Sequence, residues 1–322
     1  MNAIAAIMVV MDPALRRNAA LRRGIELARR SGAVLHLYLF DHDPMIQIYG
    51  EDLEEGVRRA AITHFLDQRL QRLNAIAAEV ASGGVRVECD VVWAPATHQA
   101  IVARAIDIRP ELVIKNVDES APHGLLLRPI DWKLLRLVPA DLMLVHGDSG
   151  ALPRRIVAAV DTCDSATHPA PLNEAVVRGA LRIGRYAEAE LHLAHVAPYI
   201  PAGGLVDSRM QLSYETMVER DVAAFRRFAQ GLQVPGDRCH MLSGETATSL
   251  KDFSGRIGAD LLAIGSVYRS AWDRFMLGTT AEQLLAESGR DILMVKEPEF
   301  ESALRHHVDL DAWRQATLRY RG

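Results

Sequence analysis

The chain has few cysteines. Cys89, Cys163 and Cys239 are the only three in 322 residues, far apart and at no zinc-ligand spacing. This excludes a disulfide scaffold or a zinc ribbon and fits a reducing compartment. Long apolar runs are missing as well. A stretch such as Ala3 to Met11 falls well short of the roughly 18 residues a spanning helix requires, so no membrane insertion is expected. That stretch has no basic leader and runs straight into Asp12 and Pro13. No signal peptide is therefore expected, and the cytoplasm is the expected location. Charge of one sign is not in excess either, with 37 basic against 41 acidic residues and a net charge of −4. A nucleic-acid partner, which needs a strongly basic surface, is not expected. What is present, 49% hydrophobic and 24% charged residues, places the chain among ordinary globular proteins and excludes disorder and collagen. Its length suggests two domains.

The chain repeats itself. At a shift of 150, Leu112-Val113-Ile114-Lys115 falls on Leu262-Ala263-Ile264-Gly265, Asp141-Leu142-Met143-Leu144-Val145 on Asp291-Ile292-Leu293-Met294-Val295, and Cys89 on Cys239. At a shift of 149, Ile7 to Asp12 falls on Ile156 to Asp161. Four segments at nearly one shift indicate a duplication, with domains at 1–148 and 153–298 and an extension at 299–322.

Within each half, short apolar runs alternate with segments of helical period, which is the pattern of a parallel sheet covered on both faces. Strands are predicted at 4–11, 34–40, 85–93, 111–115 and 141–145, and again at 155–160, 190–196, 238–242, 260–264 and 291–295. Leu21, Ile25 and Ala28 mark a helix that Gly32 is placed to end. Val57, Ala61, Phe65, Leu66, Leu70, Leu73, Ala77 and Val80 mark a long helix over 51–82, and Tyr214, Met217, Val218, Val222 and Phe225 line its counterpart. Such stripes read as core packing.

In sheets of this kind a ligand crevice lies beyond the carboxyl ends of the strands. In the second half those ends carry Asp161, His195-Val196-Ala197, Ser243-Gly244-Glu245 and Gly265-Ser266. After Val267-Tyr268 and nine more residues come Gly278-Thr279-Thr280 and an apolar periodic run. A glycine at a strand end admits a close ligand, and two threonines at a helix N-terminus suit phosphate oxygens. The same threonines equally serve as an ordinary helix cap.

These residues resemble the universal stress proteins, whose Rossmann-like domain carries Gly, two residues, Gly, nine residues, Gly and then Ser or Thr. Gly265, the nine-residue interval, Gly278, Thr279 and the following Ala-Glu-Gln-Leu-Leu run fit. The two-domain layout and the segment Pro129 to Arg136 are most similar to the tandem, E-type branch of that family. The resemblance implies two tandem Rossmann-like domains, each a five-stranded parallel sheet with helices on both faces, related by a pseudo-twofold axis. It further implies that strands 141–145 and 291–295 associate as an intramolecular pseudo-dimer, and it leaves room for a homodimer of whole chains. It implies a regulatory binding protein in which Asp161 lies beside a ribose and Val196 beside an adenine. By the same resemblance Val160, Gly244, Gly265, Ser266, Gly278, Thr279 and Thr280 are expected to complete a pocket for ATP or AMP, with magnesium if ATP.

Two departures qualify this. Tyr268 replaces the second motif glycine and either obstructs the phosphate path or points outward. In the first half Lys115, Asp118 and Arg128 replace the three glycines and Pro129-Ile130 the threonines, so no nucleotide is expected there. Lys115 and Arg128 remain as anion attractors or, more simply, solvated bases. Asp12 either caps the next helix or touches a ligand.

No catalytic residue is assigned. Walker, Gly-x-Ser-x-Gly and Gly-x-Gly-x-x-Gly loops are absent. His192 and His195 alternate to opposite faces of a predicted strand and are not expected to share a metal. The tail from Pro298 ends in a possible basic helix, Ala312 to Arg321, which could dock on its own protein or meet an acidic partner, although a frayed terminus is the simpler expectation. A rival reading is a non-nucleotide scaffold, or a binder of a lipid-like ligand.

Overall fold

The computed structural model describes residues 3–117, 129–162, 170–197, 208–232, 234–266, 283–284, 289–297 and 300–318. They form two compact units, one of residues 153–298 and one of residues 2–152 together with 299–322.

The first unit runs β1 (Ala6–Val10), α1 (Ala19–Ser31), β2 (Val34–Asp41), α2 (Pro44–Tyr49), α3 (Glu55–Ser82), β3 (Val87–Trp93), α4 (Thr97–Ile108), β4 (Leu112–Asn116), α5 (Pro129–Leu137) and β5 (Asp141–Val145). Its strands lie in the order β3-β2-β1-β4-β5, all parallel. The second unit runs β6 (Arg155–Ala159), α6 (Ala170–Ala187), β7 (Glu190–Ala197), α7 (Ser208–Gly231), β8 (Cys239–Ser243), α8 (Thr246–Arg256), β9 (Leu261–Ser266) and β10 (Asp291–Lys296). Its order is β10-β9-β6-β7-β8, again parallel. The chain is thus a tandem α/β protein of Rossmann-like units, as the alternating apolar runs predict.

Central strands are apolar along their length because both faces are covered. Ile7, Val9, Ile156, Val157 and Ala158 have no exposure. Asn18 caps α1, its side chain accepting from the Leu21 amide at 3.1 Å, and Gly32 closes the helix with its amide on the Ala28 carbonyl at 2.9 Å. α3 begins at Glu55 rather than 51, because the separate helix α2, capped by Asp43 through the Met45 and Ile46 amides, passes into a 3-10 turn at Gly50–Asp52 and the chain is non-helical at Leu53 and Glu54. Val57, assigned to the buried stripe from sequence, is accordingly exposed.

The duplication is written in the hydrogen bonds. Glu111 accepts from the amides of Ala5 and Ala6 at 3.0 and 2.8 Å, and Asp260 from those of Arg154 and Arg155 at 2.7 and 3.0 Å. In each unit a carboxylate ahead of the fourth strand therefore pins the start of the first. These pairs fix the repeat of the fourth strand at 149, not 150. Leu112 lies opposite Ile7 and Leu261 opposite Ile156. The residue in the place of Gly265 is therefore Asn116, and Lys115 stands in the place of Ile264. The gap-free alignment of apolar runs misses this because one apolar residue resembles the next, whereas the backbone ladder counts each residue.

Over its described residues, 300–318, the tail is not frayed. α9 (Phe300–His307) and α10 (Leu310–Leu318) belong to the first unit, and Phe300, Leu304 and Leu310 are buried. α10 lies against α4, with the Trp313 ring edge-on to His98 at 6.4 Å and Arg314 donating to Asp107 through Nε and Nη2 at 3.0 and 2.7 Å. Apolar residues spaced for one helical face outweigh the exposed position of a chain end.

Candidate functional site

In the second unit β6 lies between β7 and β9. Right-handed crossovers send α6 and α8 to opposite faces, so the crevice opens at the end of β6. Val160 and Asp161 occupy that end. The Val160 amide donates to the Ala194 carbonyl at 3.0 Å, and the Met11 amide donates to Tyr38 in the same manner at 2.8 Å, which confirms the correspondence of Asp161 with Asp12. The Asp161 main chain is held on both sides by Asn173 of α6, whose Oδ1 accepts from the Asp161 amide at 3.0 Å and whose Nδ2 donates to the Asp161 carbonyl.

Below this point lies a buried pair that sequence reading missed. His195 and Asp221 are 1% and 3% exposed, with Nε2 and Oδ2 2.7 Å apart. The other ring nitrogen, Nδ1, is 3.0 Å from the Val160 carbonyl, and Phe225 stacks on the ring at 5.6 Å. A histidine oriented by a carboxylate resembles half of a catalytic triad. Here both ring nitrogens are occupied and solvent is excluded, so the pair positions Val160 rather than performing chemistry. The clue in the sequence is a carboxylate on an apolar stripe: Asp221 sits at helical spacing between Val218 and Phe225, on the face that is buried.

Val196 is half-buried and pairs with Leu242 of β8. Ser266 is buried and pairs with Lys296. Gly265 has a packing role, since a Cβ there would come within 2.8 Å of Leu172 Cγ on α6. Gly244 turns the chain with φ +123°, a conformation that disfavours a side chain. Next to it Glu245 caps α8, its carboxylate accepting from the Ala247 and Thr248 amides at 3.1 and 2.7 Å. A hydrogen bond from the Thr248 side chain, first, and then the Thr248 and Ala247 amides hold the Glu245 carboxyl below its ordinary range. The structure thus brings Val160, Asp161, Val196, Gly265 and Ser266 to one end of adjacent strands, with Gly244 on the edge strand. Gly278, Thr279, Thr280 and Tyr268 lie outside the described residues, as do Asp118 and Arg128.

The first unit has a cavity of about 510 Å³ at the corresponding place, lined among others by Asp12, Arg16, Arg17, Lys115 and Asn116. Asp12, Arg16, Arg17 and Lys115 each have an ion-pair partner. Asp12 accepts from the Ala14 amide at 2.7 Å and from Arg16 at 3.0 and 2.6 Å, and Arg17 pairs with Glu79. Asp12 thus closes a turn and an ion pair, while Asn18 caps the helix. Lys115 is neither solvated nor available to an anion. Its Nζ is 2.8 Å from Asp131 Oδ1 on α5, with the two side chains 13% and 0% exposed.

His192 and His195 do point to opposite faces, His192 meeting His240 at 3.0 Å while His195 meets Asp221. Among the described residues no three His, Cys, Asp or Glu side chains gather as a metal site. Among them too, no helix is long and apolar enough to cross a membrane.

Comparison with known proteins agrees with this architecture. The model of the universal stress protein family matches residues 4–146 and 153–296. Universal stress protein E of Escherichia coli K12 is 24% identical over 314 residues, covering 95% of this chain and 96% of that one. The universal stress protein E homolog of Haemophilus influenzae is 22% identical over 309 residues, covering 90% and 96%. Among solved structures, a functionally unknown protein from Pseudomonas aeruginosa PAO1 superposes with a TM-score of 0.75 at 24% identity, over 97% of this chain and 98% of that one. A universal stress protein from Archaeoglobus fulgidus superposes with a TM-score of 0.60 at 15% identity, over 90% and 98%. Both halves of the chain, each matched over nearly its whole length, belong to the universal stress protein family.

Proposed function

We propose that the chain is a cytoplasmic stress-response regulator that binds an adenine nucleotide, ATP with magnesium or AMP, in the crevice of its second unit and acts through binding rather than turnover. The observation that carries this reading is the construction of the β6 terminus. The Asp161 backbone is fixed by Asn173 and the Val160 carbonyl by His195, at the one point of the sheet where neighbouring connections diverge. Preorganised main chain lowers the cost of ordering a ligand. In this reading Asp161 meets the ribose, Val196 the adenine, and Gly278, Thr279 and Thr280 the phosphates. The first unit, whose crevice charges are paired internally, takes no nucleotide.

One observation favours a second reading, an interaction scaffold. Leu172 occupies the space above Gly265 that close ligand approach would use. Equilibrium titration with labelled ATP and magnesium separates the two. Saturable submillimolar binding that is lost in Gly278→Glu supports the nucleotide reading. Binding that appears only in Tyr268→Gly, and not in the natural chain, supports the scaffold.

A further inference from the structure

His192 of β7 and His240 of β8 face each other on the side of the sheet that α8 covers. Nδ1 of His192 and Nε2 of His240 are 3.0 Å apart, and the rings stack with centroids 5.2 Å apart. The His240 ring also rests on Phe253 of α8 at 4.5 Å. β8 is the edge strand of its unit, bonded in the sheet to β7 alone. The histidine pair is therefore a junction between the edge strand, its covering helix and the rest of the sheet.

At 3.0 Å one of the two nitrogens must carry the hydrogen and the other must offer a lone pair. A first added proton leaves that bond intact, because it goes to an outer ring nitrogen such as His192 Nε2, which lies 3.8 Å from Glu190 Oε2. A second proton sets N–H against N–H, and the bond is lost. The charged groups acting on the pair are Arg155 of β6, Glu190 of β7, and Asp237 and Arg238 of the 3-10 turn ahead of β8. From α8 the pair meets Phe253, over whose ring Arg256 lies at 5.9 Å. Glu190 is itself bonded to Arg155 at 3.3 Å and lies 3.7 Å from Arg238, so much of its charge is already answered. Burial, first, and the neighbouring positive charges hold His192 below the ordinary imidazole range. Burial and then His192 itself do the same to His240.

We propose that His192 and His240 form a proton-sensitive latch, which holds β8 and α8 to the sheet while at most one of the rings is charged and releases them when both are. The first unit supplies an internal contrast. There the corresponding positions hold His36 and Asp90, since Tyr38 pairs with Asp90 as Ala194 pairs with His240. Protonated His36 keeps a partner, Glu88, whose Oε2 lies 3.3 Å from its Nδ1. Acid therefore breaks this hydrogen bond at one edge of the protein, whereas at the other edge the protonated ring keeps an ion-pair partner.

Hydrogen exchange of the full chain at pH 7.5 and 5.5, corrected for the intrinsic chemical rate and run in chelator to exclude metals, tests this. Protection of residues 239–256 is expected to fall by about tenfold or more, the equivalent of one pKa unit of differential proton binding, while residues 87–108, which hold no histidine pair, fall by less. His240→Phe keeps a ring on Phe253 and abolishes the acid step. An unchanged 239–256 segment in the natural chain, or the same step in His240→Phe, overturns the proposal. Should that variant fail to fold, carbon-13 labelling of the histidine Cε1 positions in the unaltered chain decides. Two separated proton uptakes for this pair, the lower one coinciding with loss of protection, support the latch. A single shared midpoint overturns it.

Discussion

Asp221 Oδ2 lies 2.7 Å from His195 Nε2 beneath the end of β6, and the opposite nitrogen of the same ring reaches the Val160 carbonyl at 3.0 Å. A helix on one face of the sheet thereby fixes the main chain of the strand end that the nucleotide reading uses. Asp221→Ala strands a buried imidazole nitrogen. It should lower the stability of the second unit by about 1–3 kcal/mol, while Asp221→Asn recovers part of the loss. Met217→Ala, one turn earlier on the same helix, where the stripe assigned from sequence is exposed, should fall within about 0.5 kcal/mol of the natural chain. Urea unfolding, read separately for each unit, measures all three.

Gly265 and Leu172 form a second such contact. Gly265→Ala places a methyl 2.8 Å from Leu172 Cγ and should cost about 1–3 kcal/mol by overpacking. Leu172→Ala in the same chain should relieve the clash, giving a coupling energy of opposite sign to the single losses in a double-mutant cycle. Simple additivity would show that Gly265 is not there for packing.

Lys115 and Asp131 make the corresponding test in the first unit. Lys115→Ala removes a cation 2.8 Å from a fully buried carboxyl and should be destabilising by about 1 kcal/mol or more, while Lys115→Met with Asp131→Leu should restore part of it. Were Lys115 a solvated strand-end base, the single change would scarcely alter the thermal midpoint.

Acid should weaken the protein. His36, His98, His192 and His240 are all held below the ordinary value of 6.5, in each case chiefly by burial. Below 6.5 the unfolded chain therefore binds more protons than the folded one. The contribution of these groups is complete above that pH and is lost as pH falls through the lowered folded values. The thermal midpoint should be flat from pH 7 to 8 and should decline from pH 6.5 to 5.5. A rise over the acid interval would contradict the assigned direction.

The tail should matter to the first unit alone. Ending the chain at residue 298 removes the buried Phe300, Leu304 and Leu310 and should destabilise that unit. Trp313→Ala should reproduce part of the loss through its contact with His98. Arg314→Ala should cost no more than about 1 kcal/mol, because that ion pair is exposed, with side chains 31% and 38% accessible. Limited proteolysis of the two units distinguishes these outcomes.

The fold was largely legible in the sequence because parallel strands buried on both faces announce themselves as apolar runs. Strand ends such as Asp161 follow directly from where those runs stop. Register was not legible: Lys115 and Asn116 differ by one place, and the count is fixed by the strand pairing and by the carboxylates of Glu111 and Asp260, each bonding two specific amides. The docked tail was not legible, because the spacing of Phe300, Leu304 and Leu310 signals an apolar face without showing what covers it. Asp221 was overlooked because its partner lies 26 residues away on another element, and a single sequence does not show which acid on a helix faces inward. The site was legible only at the strand ends, since Gly265 serves packing as well as the motif.

The central claim is that a nucleotide occupies the second crevice and not the first. Photolabelling of the intact chain with an azido-adenosine triphosphate, followed by peptide mapping, addresses it directly. Label should fall on second-unit peptides carrying Val160, Asp161 or Val196 and should disappear with excess unlabelled ATP. Competed label confined to the first-unit peptides around Asp12 and Lys115, or label that no concentration of ATP displaces, would contradict the account.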